Sequence, residues 1–588
     1  MEQGDQNTAK QIWKTWKSFG NTRRGKQIGW FLTLLCPVFI VCITEINQQG
    51  DFSSLFHLVT ERPTVFVFDI LLVGIFYVMA YLLARRSWLA GAIIGGLFWI
   101  LSNVEFYRFR ASGTHFTAGD FSLFTNVGDV AEFAKLEIYP MQVVILLLLV
   151  CYITGMYLCC VKICWNWKRV VPAVSTICVG LTSFFVIPQV SDAVFTVFGV
   201  EHGGASNSFV QKEKFEADSM IAFLAENISD TISTVHIPEP ENYSRQTVET
   251  FAEAEEPKQT EQMEKPNVIL IMSESYTDFR RFPSLNVQDS AYEEFDRMVS
   301  EGAKGTTVVP TFGGYTVKTE FELLFGLPIK GLNGTQAPQF YIGETDQATI
   351  ARHFQQEGYT TAYLHPYSSD FYERGRLMPY YGFDHIYFEQ DMDQIYFRNY
   401  LDDKAAYDKA LEVISEEEDP CYLHITTMQN HMPYDDDSQS QFEYYMDGIA
   451  NTDKRLGELC DKLRESQEPT IVMFVGDHFP LFTEENSVYE KLGIDADNCL
   501  ALYQQPYVIW ANYEFDRSML PSQTVSSFYL PHVLEDLAGL EQNEADAVLK
   551  GQMASTPVYT TEYDQESRNE ALDTLTYDLI LGDQYAAE

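Results

Sequence analysis

Six residues between positions 274 and 478 have the types and placement to do chemistry together. Glu274 follows the apolar run NVILIM. Thr316 follows TTVVP and a Gly-Gly turn. His365 follows TTAYL, His431 follows CYLHITTMQN, and Asp477 with His478 follow TIVMFV. Two carboxylates, an imidazole and a hydroxyl (Glu274, Asp477, His478 and Thr316) form a mixed oxygen and nitrogen donor set. That set suits Mn2+ best, with Mg2+ and Zn2+ as alternatives, because it lacks the thiolates of a typical structural zinc site. A cation beside a threonine hydroxyl makes its proton easier to lose, as it does for a bound water. Thr316 also opens the helical stretch TVKTEFELLFG, so it serves as a helix cap, as a nucleophile, or as both. In each case the helix N-terminus favours negative charge at that point.

These residues converge only if the elements before them run side by side. Continuous apolar runs of five or six residues read as strands buried on both faces. Between them lie helical stretches at 349–359 and 442–467. The alternation predicts an α/β fold with a largely parallel sheet. In open sheets of this kind ligands bind outside the carboxyl ends of the strands. Five strands therefore deliver Glu274, Thr316, His365, His431, Asp477 and His478 to one edge.

The first part of the 588-residue chain is of another kind. Apolar stretches at roughly 28–46, 65–84, 88–104, 141–161 and 170–190 predict five membrane spans, the third slightly short of the ~20 residues a bilayer needs. Lys10, Lys14, Lys17, Arg23, Arg24 and Lys26 precede the first span. Arg85 and Arg86 lie between the second and third, and Lys162, Lys168 and Arg169 between the fourth and fifth. All three groups fall on one side, which the positive-inside rule makes cytoplasmic. Everything after residue 190 is then expected outside, with the first span a retained anchor. Asp69, inside the second span, is a functional candidate or a hydrogen-bonding group between helices. The loop 105–140, with Arg108 and Arg110 near Phe116, Phe121 and Phe124, either lies on the outer leaflet or packs as an ordinary loop.

Charge divides the same way. Residues 1–190 carry 15 Lys/Arg against 11 Asp/Glu, whereas the remainder carries 25 against 72. So acidic an exported part excludes nucleic acid as a partner, since phosphates need a basic footprint. Only Cys421, Cys460 and Cys499 lie there, too few for a disulfide framework. Residues 191–265, polar, acidic and proline-bearing, read as a linker with little to bury. The expected layout is a membrane domain over 1–190, a linker over 191–265, a catalytic domain over 266–545 and a carboxyl-terminal segment over 546–588 packing on that domain.

The stretches NVILIMSES, YTVKTEF, HPYSSDFYER, QNHMPY and FVGDHFP, in this order, resemble the lipoteichoic acid synthase-like phosphoglycerol transferases of the sulfatase and alkaline phosphatase-like superfamily. The five-span layout and the tail LDTLTYDLILGDQY are similar to that family too, so the resemblance covers nearly the whole chain. It implies a metal site of Glu274, Thr316, Asp477 and His478 with Thr316 as nucleophile. It implies a substrate pocket of His365, Tyr372, Arg374 and His431, with His431 also catalytic. It further implies phosphatidylglycerol as donor and a lipid-linked glycan or polyglycerol phosphate as acceptor at the membrane. Tyr372 stands where the best-known members have tryptophan, and Val317-Lys318 replaces a more polar pair. A sulfatase is excluded by the lack of a Cys/Ser-x-Pro-x-Arg stretch. Phosphoethanolamine transfer, phosphodiester hydrolysis and a non-catalytic membrane sensor or transporter are the rival readings.

Overall fold

The computed structural model describes residues 18–20, 22–121, 138–203, 207–252, 265–335, 337–434, 438–483 and 487–587. Lys10, Lys14, Lys17 and Phe124, named above, lie outside the described residues, as do 253–264 of the expected linker. The chain forms two compact units, one of residues 1–203 and 211–236, the other of 204–210 and 237–588.

In the first unit five helices are long and apolar enough to cross a membrane. They span Arg23–Gln49, Pro63–Ala84, Ser87–Ser112, Pro140–Leu158 and Trp167–Val186. The third is not short: its helix runs on through NVEFYRFR, past the point where the apolar window ends. Prolines at the first turn open the second and fourth, where a missing N–H costs nothing. Asp69 is fully buried. Arg108 pairs with Asp120 at 3.1 Å, and Arg110 lies over the rings of Phe106 and Tyr139. Both arginines stand on the third helix, which thus extends into the stretch 105–140 expected as a loop. Composition predicts little to bury over 191–265, yet Pro188–Phe198 and Met220–Thr234 are helices whose Phe195, Ile221, Ala222 and Ala225 enter the core of this unit.

The second unit is built on an eight-stranded sheet plus a two-stranded ribbon. Its strands are β1 (Asn267–Ser273), β2 (Ala303–Val308), β3 (Thr360–Leu364), β4 (His385–Tyr387), the ribbon pair β5 (Tyr396–Phe397) and β6 (Tyr400–Leu401), β7 (Cys421–Thr426), β8 (Thr470–Gly476), β9 (Gln504–Ala511) and β10 (Val525–Ser526). The order in the sheet is β10-β2-β9-β8-β1-β7-β3-β4. All neighbours are parallel except β9, which runs antiparallel to β8 and β2. Alternation along β1 feeds two cores. Val268, Leu270 and Met272 enter one, with helices Thr316–Phe325, Ile350–Gln356 and Leu530–Ala538. Ile269 and Ile271 enter the other, with Glu293–Glu301, Asp403–Glu416 and Gln441–Ser466. A strand covered on both faces must be apolar at every position, which is why NVILIM and TIVMFV do not alternate. The carboxyl-terminal helix Glu570–Ile580 adds Leu572, Leu575 and Leu579 to the first core.

Candidate metal centre and nucleophile

The pairing of β1 with β8 sets Ser273 opposite Gly476. The next residue on each chain is therefore an acid, Glu274 on one and Asp477 on the other. Gly476 permits this because a Cβ there would lie 1.8 Å from the Tyr276 carbonyl oxygen. Ser275 joins the two acids. Its backbone N–H donates to Asp477 Oδ1 at 2.7 Å, and its hydroxyl donates to Glu274 Oε1 at 2.8 Å. It does so from a left-handed conformation, φ +53°, a strain seen mostly at functional sites. Thr427, just beyond β7, accepts from the Glu274 N–H at 3.0 Å.

Thr316 reaches the same place from β2 through Gly313 and Gly314, both at positive φ. It is not the helix cap. Tyr315, at φ +57°, takes that position and caps with no side-chain hydrogen bond, so Thr316 is the first helical residue. Its hydroxyl is turned instead to the acids: Oγ1 lies 3.3 Å from Glu274 Oε2 and 3.4 Å from His478 Nε2. One turn on, Thr319 donates to the Asp477 carbonyl at 2.8 Å and fixes the helix against the end of β8.

Glu274, Asp477 and His478 are all buried, and one ligand atom from each lies within 4.8 Å of the others. Burial first, then the charge of Asp477, pushes the Glu274 carboxyl well above the usual range. Burial also raises Asp477. Such a pair is stable as two anions only beside a cation. Among the described residues Asp477 Oδ2 has no hydrogen-bond partner, and it sits 3.2 Å from His478 Nε2. His478 Nδ1 lies 2.9 Å from the Phe479 carbonyl, which can only accept. Nδ1 therefore carries the hydrogen, and Nε2 turns a lone pair toward Thr316 and the acids. The donor set and its geometry fit a divalent cation.

The four residues assigned to a substrate pocket fall into two groups. His365 and Arg374 are buried in an internal network. His365 donates through Nδ1 to the Thr426 carbonyl at 2.9 Å and accepts from Arg374 Nη1 at 3.3 Å. Burial and the adjacent guanidinium lower His365 to about 3, so the ring is neutral. Arg374 is forked onto Glu320, with Nε 3.1 Å from both carboxylate oxygens. His431 and Tyr372 are partly open. His431 Nδ1 lies 2.7 Å from the Met432 carbonyl, and burial lowers the ring to about 4, which leaves a neutral imidazole with Nε2 as an acceptor. Tyr372 is left-handed at φ +56°, and its ring lies 5.3 Å from the Arg374 guanidinium.

Sequence reasoning missed Glu320, Ser275, Thr427 and Tyr400, whose hydroxyl donates to the Met432 carbonyl at 2.7 Å. For Glu320 the signal was its spacing: four residues past Thr316, it shares that residue's helix face.

Residues 266–540 match the sulfatase family model. The chain is 26% identical over 326 residues to a putative cyclic beta-1,2-glucan modification protein of Rhizobium meliloti, covering 51% of this chain and 50% of that protein. It is 27% identical over 252 residues to the lipoteichoic acid synthase of Staphylococcus saprophyticus, covering 39% and 38%. The chain thus spans half or less of the length of these curated relatives. Among solved structures it is similar in fold to the integral membrane lipooligosaccharide phosphoethanolamine transferase A of Neisseria meningitidis. That match has a TM-score of 0.50 at 12% identity and covers 88% of this chain and 98% of that one.

Proposed function

With residues 266–540 a sulfatase-family domain similar to that of the lipoteichoic acid synthases, we propose that this chain is a membrane-anchored phosphoglycerol transferase. Glycerol phosphate would move from phosphatidylglycerol, by way of Thr316, to a hydroxyl of a lipoteichoic acid-type polymer or glycolipid. The amino terminus would be cytoplasmic and the catalytic unit extracellular. The observation that carries this reading is the placement of the Thr316 hydroxyl, first in its helix and within 3.4 Å of both Glu274 and His478.

Glu274, Asp477, His478 and Thr316 would hold one divalent cation, Mn2+ by preference. When bound, it supplies positive charge that makes the hydroxyl more acidic and offsets the charge on phosphoryl oxygens. The chain's own residues do the rest. The Thr316 O–H points at Glu274 Oε2, the acceptor that takes its proton. Oγ1 attacks phosphorus, an O–P bond forms, and the bond to the diacylglycerol oxygen breaks. The leaving oxygen takes up a proton and diacylglycerol departs, with glycerol phosphate esterified to Thr316. In the second half a hydroxyl of the acceptor attacks the same phosphorus and Thr316 is regenerated. The amino-terminal end of the helix stabilises the negative charge that appears there in both steps. His431, a neutral imidazole oriented by the 2.7 Å contact of its Nδ1 with the Met432 carbonyl, is suited to take the proton of the incoming hydroxyl. Tyr372 would line the glycerol pocket, with Arg374 and His365 holding its wall in place.

Incubating the purified protein with fluorescent phosphatidylglycerol or phosphatidylethanolamine tests the donor. Diacylglycerol from phosphatidylglycerol alone is expected. Release from phosphatidylethanolamine alone would replace this reading with phosphoethanolamine transfer, and free glycerol phosphate without transfer would replace it with hydrolysis. Thr316→Ala should abolish release, and normal turnover by that variant would remove the covalent mechanism.

A further inference from the structure

A second cluster of metal-type donors lies at the opposite end of the helix that Thr316 begins. His353 comes from helix Ile350–Gln356, His532 and Glu535 from Leu530–Ala538, and Asp546 from Glu544–Ser555. All four are buried. His353 Nδ1 is 2.8 Å from Glu535 Oε1 and 3.8 Å from Asp546 Oδ2. His532 Nδ1 is 2.9 Å from Glu535 Oε2 and 2.7 Å from Asp546 Oδ1. One ligand atom each from His353, Glu535 and Asp546 lies within 4.8 Å of the others. Two imidazoles from different helices thus present the same ring atom to the same two carboxylates.

The other nitrogen of His532 decides what belongs between them. Nε2 lies 3.1 Å from the Gly326 carbonyl oxygen, which can only accept, so Nε2 carries a hydrogen. In the neutral ring Nδ1 is then a lone pair facing two anions at under 3 Å. That arrangement needs a cation, either a second proton on the ring or a metal ion. The backbone contact at Nε2 is the outer partner that orients most metal-bound histidines. Gly326 is the left-handed residue closing the Thr316 helix at φ +63°, and a Cβ there would lie 2.2 Å from His532 Nε2. The site therefore sits at the negative end of a helix dipole. A cavity of about 260 Å³, lined by His353, His532, Glu535, Asn543 and Asp546, opens onto it and offers a way in.

We propose that His353, His532, Glu535 and Asp546 form a second divalent cation site. Two neutral imidazoles and two carboxylates balance a dication and suit Zn2+ or Mn2+. The Thr316 helix has 10 residues and spans about 15 Å, whereas paired catalytic ions sit ~3.5–4 Å apart. The second ion is thus a brace rather than a partner in catalysis. It ties the far end of the nucleophile's helix to the helices beneath it.

The test uses the full-length protein in detergent, stripped with a chelator, dialysed and reloaded with Zn2+ alone, with metal counted per chain by mass spectrometry. Two ions are expected in the wild type. One is expected when Asp477→Asn and His478→Ala are combined, and one when His353→Ala and His532→Ala are combined. A wild type with a single ion, an Asp477/His478 variant with none, or a His353/His532 variant that still holds two would overturn the proposal. Because buried substitutions can unfold a chain, the Asp477/His478 variant is also melted with increasing Zn2+. Its melting temperature should rise as the remaining site fills, and a temperature that does not move would leave the cluster to protons.

Discussion

Replacing Glu320 by glutamine tests whether the wall of the site is held by charge. The Glu320 carboxylate is buried and meets four groups. Arg374 approaches with Nε at 3.1 Å and Nη2 at 3.0 Å, Tyr363 donates its hydroxyl at 2.7 Å, and Thr426 donates at 2.8 Å. Burial alone would raise its pKa, but Arg374 outweighs that and holds the carboxyl below its ordinary value. A depressed carboxylate contributes stability that is fully present above its unfolded pKa of ~4.3 and is lost only as pH falls through the lower folded value. At pH 7 the full contribution is in place. Glu320→Gln keeps the shape and deletes the charge. Arg374, itself 1% exposed, cannot shed its proton and stays behind as an uncompensated buried cation. Breaking such a pair costs about 3–5 kcal/mol. The unit has about 360 residues. At ~2.1 cal/mol/K per residue near 60 °C, that cost lowers its melting temperature by about 4–7 °C. Scanning calorimetry of the purified protein reads the shift. Adding Arg374→Met removes the stranded cation and should recover most of the stability, while transfer activity stays low because the wall beside His365 is rebuilt. A Glu320→Gln protein melting within about 1 °C of wild type, or a double variant no more stable than the single one, would refute the argument.

Three further outcomes follow from the geometry. Gly476→Ala puts a Cβ 1.8 Å from the Tyr276 carbonyl, so the end of β8 must shift and carry Asp477 and His478 with it. Transfer should fall by at least ~100-fold, and a variant within tenfold of wild type would count against the placement of this site. A chelator should abolish diacylglycerol release and Mn2+ should restore it, whereas activity indifferent to chelation would remove the cation from the mechanism. His424 is fully buried on β7, has no hydrogen-bond partner among the described residues, and is lowered to about 4 by burial. A depressed histidine contributes stability above its unfolded pKa of ~6.5 that is lost as pH falls toward 4. Between pH 7.5 and 5, wild type should therefore lose about 2 kcal/mol relative to His424→Leu in denaturant unfolding, and parallel profiles would refute this.

The edge that carries the candidate site was legible because each of its residues follows an apolar run, and buried parallel strands have no other place to deliver polar groups than their ends. The register of β1 against β8 then places Glu274 beside Asp477, which no single-chain pattern states. The second cluster was not legible. Its four residues come from three helices spread over nearly two hundred residues, and a lone histidine or glutamate on a helix reads as a surface charge. The 191–265 segment misleads for a related reason. Its acidic stretch is real, but Phe195, Ile221, Val248 and their neighbours supply enough apolar surface to bury short helices on either side of it.

The Thr316 helix shows why composition misjudges the interior of this unit. TVKTEFELLF holds three charged residues, and an amphipathic reading puts them in water. Every residue of the helix is instead buried. Lys318 meets the buried Glu562 at 3.4 Å, Glu320 meets Arg374, and Glu322 accepts from Ser527 and from the Ile329 N–H. Val317-Lys318, the pair that departs from the resemblance, thus ties the helix to the carboxyl-terminal segment. Buried charges of this kind add little net stability, because desolvation consumes most of what pairing returns. What they add is position: each is satisfied at one rotation and one height of the helix. A threonine whose hydroxyl must stand 3.3 Å from Glu274 and 3.4 Å from His478 needs a helix that cannot slide, and a purely apolar helix of the same length would leave that register unspecified.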